Sequence, residues 1–593
     1  MDHSRRRRIE IELVTLILAV FVALGLLSNL PWHLGPYRNV GNSLTYDELS
    51  HIPSGYYYLT TGRYDLNPEH PPLVKDVAAL PLLSLPIDAP KLTPAQRIQS
   101  DIQWTYGARV IFGSSVSPAT IINRARIAVT ILNALLLLLL YLAWRPVIGR
   151  QAGILALAFA ALNPFIIANG SIVTTDVPAA ILMGASLGVA AGLLDHLQRR
   201  LPTLKLAIIY GLLIGLALLA KFSAIVLLPI TGLILLVYIG LVRRNWHALV
   251  STVLALLVSA AVAFVVVMAL YVPQTRNMEA DGISATATTL LISAKAQYAI
   301  PLVSRIPKIP VVGKGIGEYL VGVLFVQSRV DTGDNQIFFA GHVYGYKGAG
   351  PLYFPTTYIA KMPLALSVLG LMTLALGLYL WRKQRRIWGN PRVIVVLAGF
   401  ALAYLIIAAS TTLQIGVRYI AADLICVPIL TAIAAVMLTR NPGAPKWYRT
   451  AFLGLAILTF VPLITGFPYY LSYTNIAFGG TSQGYRLADD SDYDWGQDLG
   501  RVDDWAQTHH IQRLYIYGLV NPYLPTDEYF KTDMIQFPDA AMAANLPKGS
   551  YYATSTTLYE FANAPGTGHK PQLPPVSAAV ARPAPSWFVF KKS

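Results

Sequence analysis

Asp47 and His51 stand four residues apart, the spacing that puts two side chains on one helix face, and Glu69 and His70 follow within the proline-framed run NPEHPP from Asn67 to Pro72. A carboxylate beside an imidazole can take a proton from a hydroxyl, the general-base task, and such a pair does not exclude a metal ion. Asp47 and Glu48 alone would be ordinary loop acids. The neighbouring Glu69, His70 and the rigid Pro71-Pro72 pair, which favours a defined turn, make Asp47 a candidate base. Glu48, adjacent to it on a helix, must point elsewhere.

Further candidates stand where apolar runs end. In NGSIVTTD, Asn169 to Asp176, the acid is explained as a helix N-cap with Pro178 in the first turn, although Thr174, Thr175 and Asp176 also face the compartment that holds Asp47. Lys221 and Arg418 begin apolar spans; they are either cations reaching for lipid headgroups or anchors for a phosphate, which Arg can meet bidentately. Asp423 lies well inside an apolar run, where an acid is a functional candidate unless Arg418 or another span pairs with it. The stretch Asp489 to Asp498 alternates carboxylates at 490, 492 and 494. It fails as a calcium loop, because Trp495 stands where glycine is needed and Arg501 where the twelfth-position Glu belongs, so helix N-capping is the expected role.

The elements that must carry these residues are membrane spans. Of 593 residues, 55% are hydrophobic and 13% charged, and the mean hydropathy is positive, which marks a polytopic membrane protein. Apolar spans are expected near 11–30, 121–143, 151–168, 177–194, 204–220, 222–241, 247–271, 356–381, 393–410, 418–439 and 449–470, about eleven in all. The first, after Arg5 to Arg8, is too long for a signal peptide and lacks a small-x-small site before Pro31, so it reads as an uncleaved anchor. Residues 31–120 form an outer loop with short interfacial helices near Leu73 to Leu85. A second long loop covers 272–355.

The net charge of +16 does not indicate a nucleic-acid partner, because the cations collect in short loops on one side: Arg145 and Arg150, Arg199 with Arg200 and Lys205, Arg243 with Arg244, Arg382 to Arg386, and Arg440 with Lys446 and Arg449. That side, shared with Arg5 to Arg8, is the cytoplasm of an inner (cytoplasmic) membrane. Asp47, Glu69, His70, Asp176 and the C-terminal segment then face outward. Residues 1–470 read as a transmembrane module and 471–593 as a small extracytoplasmic α/β domain, with a helix near Gln497 to Gln507 and strands at Leu514 to Leu519, Tyr551 to Thr557 and Trp587 to Phe590. The single cysteine, Cys426, forms no intrachain disulfide. The many tyrosines suit membrane interfaces. No phosphate-binding loop, nucleophile elbow or paired Cys/His signature occurs, and the cytoplasmic loops are too short for a nucleotide-binding domain.

These residues resemble a known family. The Asp47-Glu48 pair after an anchor, NPEHPPL at 67–73, the Thr174-Thr175-Asp176 turn and the Lys221-Phe222-Ser223 hairpin resemble lipid-carrier-dependent glycosyltransferases of the GT-C fold, in the branch of protein O-mannosyltransferases and aminoarabinose transferases. GPLYFPTTYIAKMPL (350–364), GVRYI (416–420), LSYTNIAFGG (471–480) and DSDYDWGQDL (490–499) resemble a bacterial subgroup of that branch. The resemblance implies a mainly helical fold and transfer of a sugar from a polyprenyl-phosphate carrier to a hydroxyl of a protein, lipid or glycan, with inversion. Asp47 would be the base. Asp176 would support it or orient a substrate, and Glu69 would position donor or acceptor. Lys221 and Arg418 would meet the phosphate, with His70, Lys75 and Glu48 as further binding candidates. The resemblance implies no metal. The same composition would also serve a transporter or flippase for a lipid-linked sugar, or a non-catalytic assembly protein; transporters place ionisable groups at the midplane and show repeat halves.

Overall fold

The computed structural model describes residues 3–30, 41–99, 101–244, 246–291, 293–332, 336–384, 391–565 and 572–593. Arg385 and Arg386 of the basic loop set, and Pro31, lie outside them. Among the described residues nine helices are long and apolar enough to cross a bilayer, from Ser4–Asn29 to Lys446–Thr465. Two shorter apolar helices, Arg150–Ala161 and Leu204–Ala220, take the places of the third and fifth expected spans. The chain is a mainly helical integral membrane protein.

Two spans form the centre. Asp176–Arg199 has 94% of its apolar stretch enclosed and Val417–Thr439 has 78%, against 28% for the peripheral Trp246–Gln274. With no hydrophobic force between helices in lipid, close packing must hold them, and small residues allow it. At Gly184 an added Cβ would lie 2.6 Å from Ile425 Cγ2, so the two central helices meet there without room for a side chain. Their neighbouring ends carry Asp176 and Arg418.

Two expected spans are broken, each by a proline. The 151–168 span ends at Ala161, and Asn163 starts a new short helix, Pro164–Asn169, by accepting the Phe165 N–H at 2.9 Å. The 356–381 span divides into Tyr353–Lys361 and Leu364–Gln384, because Met362, which precedes Pro363, is extended at ψ 143°. The interfacial stretch forms Leu73–Ala79 and Leu80–Leu82.

After the last span the strands Arg513–Tyr517, Tyr551–Ser555 and Trp587–Lys591 form with Asp533–Gln536 and Ala581–Ala584 a five-stranded sheet. Its first three strands in spatial order run parallel and the rest antiparallel. The helix is Leu499–Thr508. A three-stranded sheet joins Ile337–Phe339 and His342–Tyr344 of the long loop to Ala488–Asp489. The C-terminal segment also reaches the first loop: Ser43 N–H donates to Gln497 O at 2.8 Å and Tyr46 N–H to Trp495 O at 3.1 Å.

Candidate active site

Asp47 occupies the N-cap position of the helix Glu48–Thr61 but makes no side-chain cap bond, so its carboxylate is turned to other use. Its Oδ2 lies 3.5 Å from Arg418 Nη1. One turn along, His51 donates its backbone N–H to Asp47 O at 2.9 Å, while its ring Nδ1 is 2.9 Å from Val173 O. The ring also meets the edge of His70, with centroids 5.2 Å apart. Burial holds both imidazoles below their usual range; at His70 the charges of His51, Lys75, Lys221 and Arg418 add to it, whereas Asp47 opposes it at His51.

Glu48, a binding candidate by sequence, is held inside the protein. It is fully buried, and Arg126 grips it with Nε–Oε1 at 2.9 Å and Nη2–Oε2 at 2.7 Å, while the backbone N–H groups of Thr45 and Val173 donate at 3.0 Å each. Burial alone would raise its carboxyl; Arg126 and these bonds outweigh that and hold it below the usual range. Arg126 also donates to the backbone oxygens of Asn29, Asn42 and Ser43, which anchors the whole loop behind Asp47.

Lys75, the other binding candidate, is likewise held inside the protein. Its Nζ is enclosed by Asn67 O at 2.8 Å, Asn67 Oδ1 at 3.0 Å, His70 O at 2.6 Å and Tyr58 Oη at 2.9 Å, with no exposure. It shapes the NPEHPP turn from inside. The turn presents Glu69, which forms an ion pair with Arg329 on the helix Gly313–Thr332.

Asp176 is not an N-cap. Thr175 holds that position, and the Asp176 side chain forms a buried ion pair with Lys221 instead. Lys221 Nζ stands 4.8 Å from the centre of the Tyr419 ring, and the Arg418 guanidinium stacks on Trp495 with its carbon 4.6 Å from the ring centre. Neither cation reaches outward as a surface anchor: their side chains are 15% and 13% exposed. Arg418 does not pair with Asp423, whose two oxygens have no hydrogen-bond partner among the described residues; Arg418 Nε lacks one too. Asp47, Glu69, His70, Asp176, Lys221 and Arg418 thus come together, while Glu48 and Lys75 stand behind them as braces.

Arg329, Tyr419 and Trp495 escaped the sequence reading. Tyr419 and Trp495 sit inside the motifs at 416–420 and 490–499, and Arg329 faces the site from an amphipathic helix. Asp498 precedes the helix Leu499–Thr508 without capping it, its carboxylate taken by Arg501 and by Ser586 Oγ at 2.6 Å. Among the described residues no group of three or more His, Cys, Asp and Glu is placed to hold a metal ion.

No protein-family model matches the chain, and no curated protein does. Solved structures do. The chain resembles the oligosaccharyltransferase of Archaeoglobus fulgidus at 12% identity and a TM-score of 0.47, over 93% of this chain and 71% of that one. It resembles ArnT of Cupriavidus metallidurans, solved with undecaprenyl phosphate, at 16% identity and a TM-score of 0.42, over 98% of this chain and 97% of the other. The protein O-mannosyltransferase Pmt1-Pmt2 of S. cerevisiae, bound to its sugar donor, is similar at 20% identity and a TM-score of 0.32, over 46% of this chain and 35% of that one.

Proposed function

We propose that the protein transfers a sugar from a polyprenyl-phosphate carrier to a hydroxyl acceptor, with inversion at the anomeric carbon. What carries this reading is the contact of Asp47 with Arg418 beside the Asp176–Lys221 pair, at the ends of the two central spans. Carboxylate and cations there meet the two demands of the reaction, a proton acceptor for the hydroxyl and positive charge for the leaving phosphate.

Asp47 accepts the proton of the acceptor hydroxyl as that oxygen attacks the anomeric carbon. The bond from that carbon to the phosphate oxygen breaks, its electron pair leaves on polyprenyl phosphate, and Lys221 and Arg418 meet the growing charge. The Nε of Arg418, without a hydrogen-bond partner among the described residues, suits it to a phosphate oxygen. Glu69, held by Arg329, positions donor or acceptor, Asp176 orients Lys221, and His70 lines the phosphate side as a neutral imidazole. We assign the site no metal. The motifs of the GT-C branch fall on these same residues and support the reading, and the placement of Lys and Arg supports an extracytoplasmic site with a cytoplasmic N-terminus. We take residues 1–470 as the transferase module and 471–593 as its outer domain.

Two measurements test it. Mass spectrometry of glycans and glycolipids with and without the protein should reveal one hexosyl or pentosyl addition that depends on it. The purified protein in liposomes should release polyprenyl phosphate from a polyprenyl-phosphate sugar only when acceptor is present; translocation of the intact lipid without release would make it a transporter.

A further inference from the structure

Arg418 lies on the turn Val417–Ile420, which is held on one side by Tyr353, whose Oη accepts the Gly416 N–H at 2.9 Å, and Tyr404, whose Oη donates to Tyr419 O at 3.2 Å, and on the other by the C-terminal segment. Asp492 accepts the Val417 N–H through Oδ2. Gly416 makes this approach feasible: at φ 98° it adopts a conformation that L side chains avoid, and an added Cβ would lie 2.4 Å from Asp492 Cγ. Lys361 ties the segment down from the other side, its Nζ donating to Asp492 O at 2.7 Å and to Leu471 O at 3.2 Å. Trp495, 3% exposed, then lays its ring on the Arg418 guanidinium.

We infer that the loop Asp490–Trp495 positions the phosphate-binding Arg418, with Asp492 setting its backbone and Trp495 the plane of its guanidinium. This rests on the proposed glycosyl transfer. An arginine side chain has several rotatable bonds, and a planar fork meets a phosphate bidentately in only a narrow range of orientations. Stacking on one face leaves the N–H edge free, so Trp495 restrains Arg418 without occupying its donors. Asp490 completes the surroundings: burial pushes its carboxyl up while Arg418 draws it back down, with Asp47 opposing. The outer domain thereby contributes a wall of the site.

The full-length protein in nanodiscs tests this, with undecaprenyl phosphate as the probe and wild type, Trp495→Ala, Trp495→Phe and Asp492→Asn as the variants. Wild type must bind the probe; if it does not, the glycosyl-transfer reading fails before the inference is reached. Given that binding, Trp495→Ala should weaken it about ten-fold and raise the donor KM equally with the acceptor KM unchanged, and Trp495→Phe should restore most of it. Asp492→Asn, which keeps shape but loses charge, should fall between them. Unchanged probe binding in Trp495→Ala, or a rise in acceptor KM alone, overturns the inference. Should Trp495→Ala fail to fold by thermal melting, Asp492→Asn decides: a donor KM equal to that of wild type overturns it as well.

Discussion

Tyr419 stands against Lys221, the ammonium 4.8 Å from the ring centre, and so holds the cation of the Asp176–Lys221 pair near Arg418 on the neighbouring residue. Two positive groups from different spans are thereby brought to one place, each with an acid of its own.

Asp47→Asn should lower sugar transfer by about 10² to 10⁴-fold, the usual contribution of a general base, with donor binding retained. A reconstituted transfer assay beside a lipid-binding assay checks both halves. Wild-type turnover in this variant would remove Asp47 as base.

Lys221→Ala leaves Asp176 buried without its ion-pair partner and takes one cation from the proposed phosphate site. Donor KM should rise at least about ten-fold, and Lys221→Arg should recover part of it. Equal donor affinity in Lys221→Ala and wild type would reduce the pair to a structural contact.

Breaking the buried Glu48–Arg126 pair should cost stability before it costs chemistry. Arg126→Met strands a carboxylate among groups arranged for its charge, a loss of about 3–5 kcal/mol. Thermal melting in detergent should show a large drop, whereas a variant as stable as wild type would show that the pair does not brace the Asp47 loop.

Glu318 gives a pH test away from the proposed chemistry. It is fully buried on Gly313–Thr332, neither oxygen has a hydrogen-bond partner among the described residues, and burial pushes its carboxyl up to about 8. In the unfolded chain it ionises near its ordinary value, so the folded state holds the extra proton and stability falls as pH rises from that value toward 8. Melting temperature should therefore decline between pH 6 and pH 9 more steeply in wild type than in Glu318→Gln; parallel curves would contradict the assignment.

A reporter enzyme that works only outside the cytoplasm, fused after Ser593, should be active. Activity of a cytoplasmic reporter at the same position would reverse the proposed orientation.

The apolar background is what made half of the site legible in sequence. Lys221 and Arg418 stand out because they are cations at span ends away from the clusters of Lys and Arg, and Asp176 because it sits between two apolar runs. Arg329 had no such contrast, since a cation in a long polar loop is unremarkable. Glu48 looked like a site acid because its partner Arg126 lies 78 positions away inside a different span, and no local spacing announces such a pair. Asp176 passed for a helix cap because Pro178 follows it, yet its side chain found a cation instead. The spans were readable from hydropathy, while the breaks at Pro164 and Pro363 required weighing each proline against its preceding residue.

Gly500 N–H donates to Ser43 Oγ at 2.7 Å, a bond between positions 457 residues apart. A growing chain makes the Asp47 loop near its beginning and the strap that braces this loop near its end. During synthesis Arg126 can anchor the loop early, whereas the Ser43–Gly500 strap must wait until the last span has been inserted. A chain stopped before Gly500 would carry the Asp47 loop without this strap.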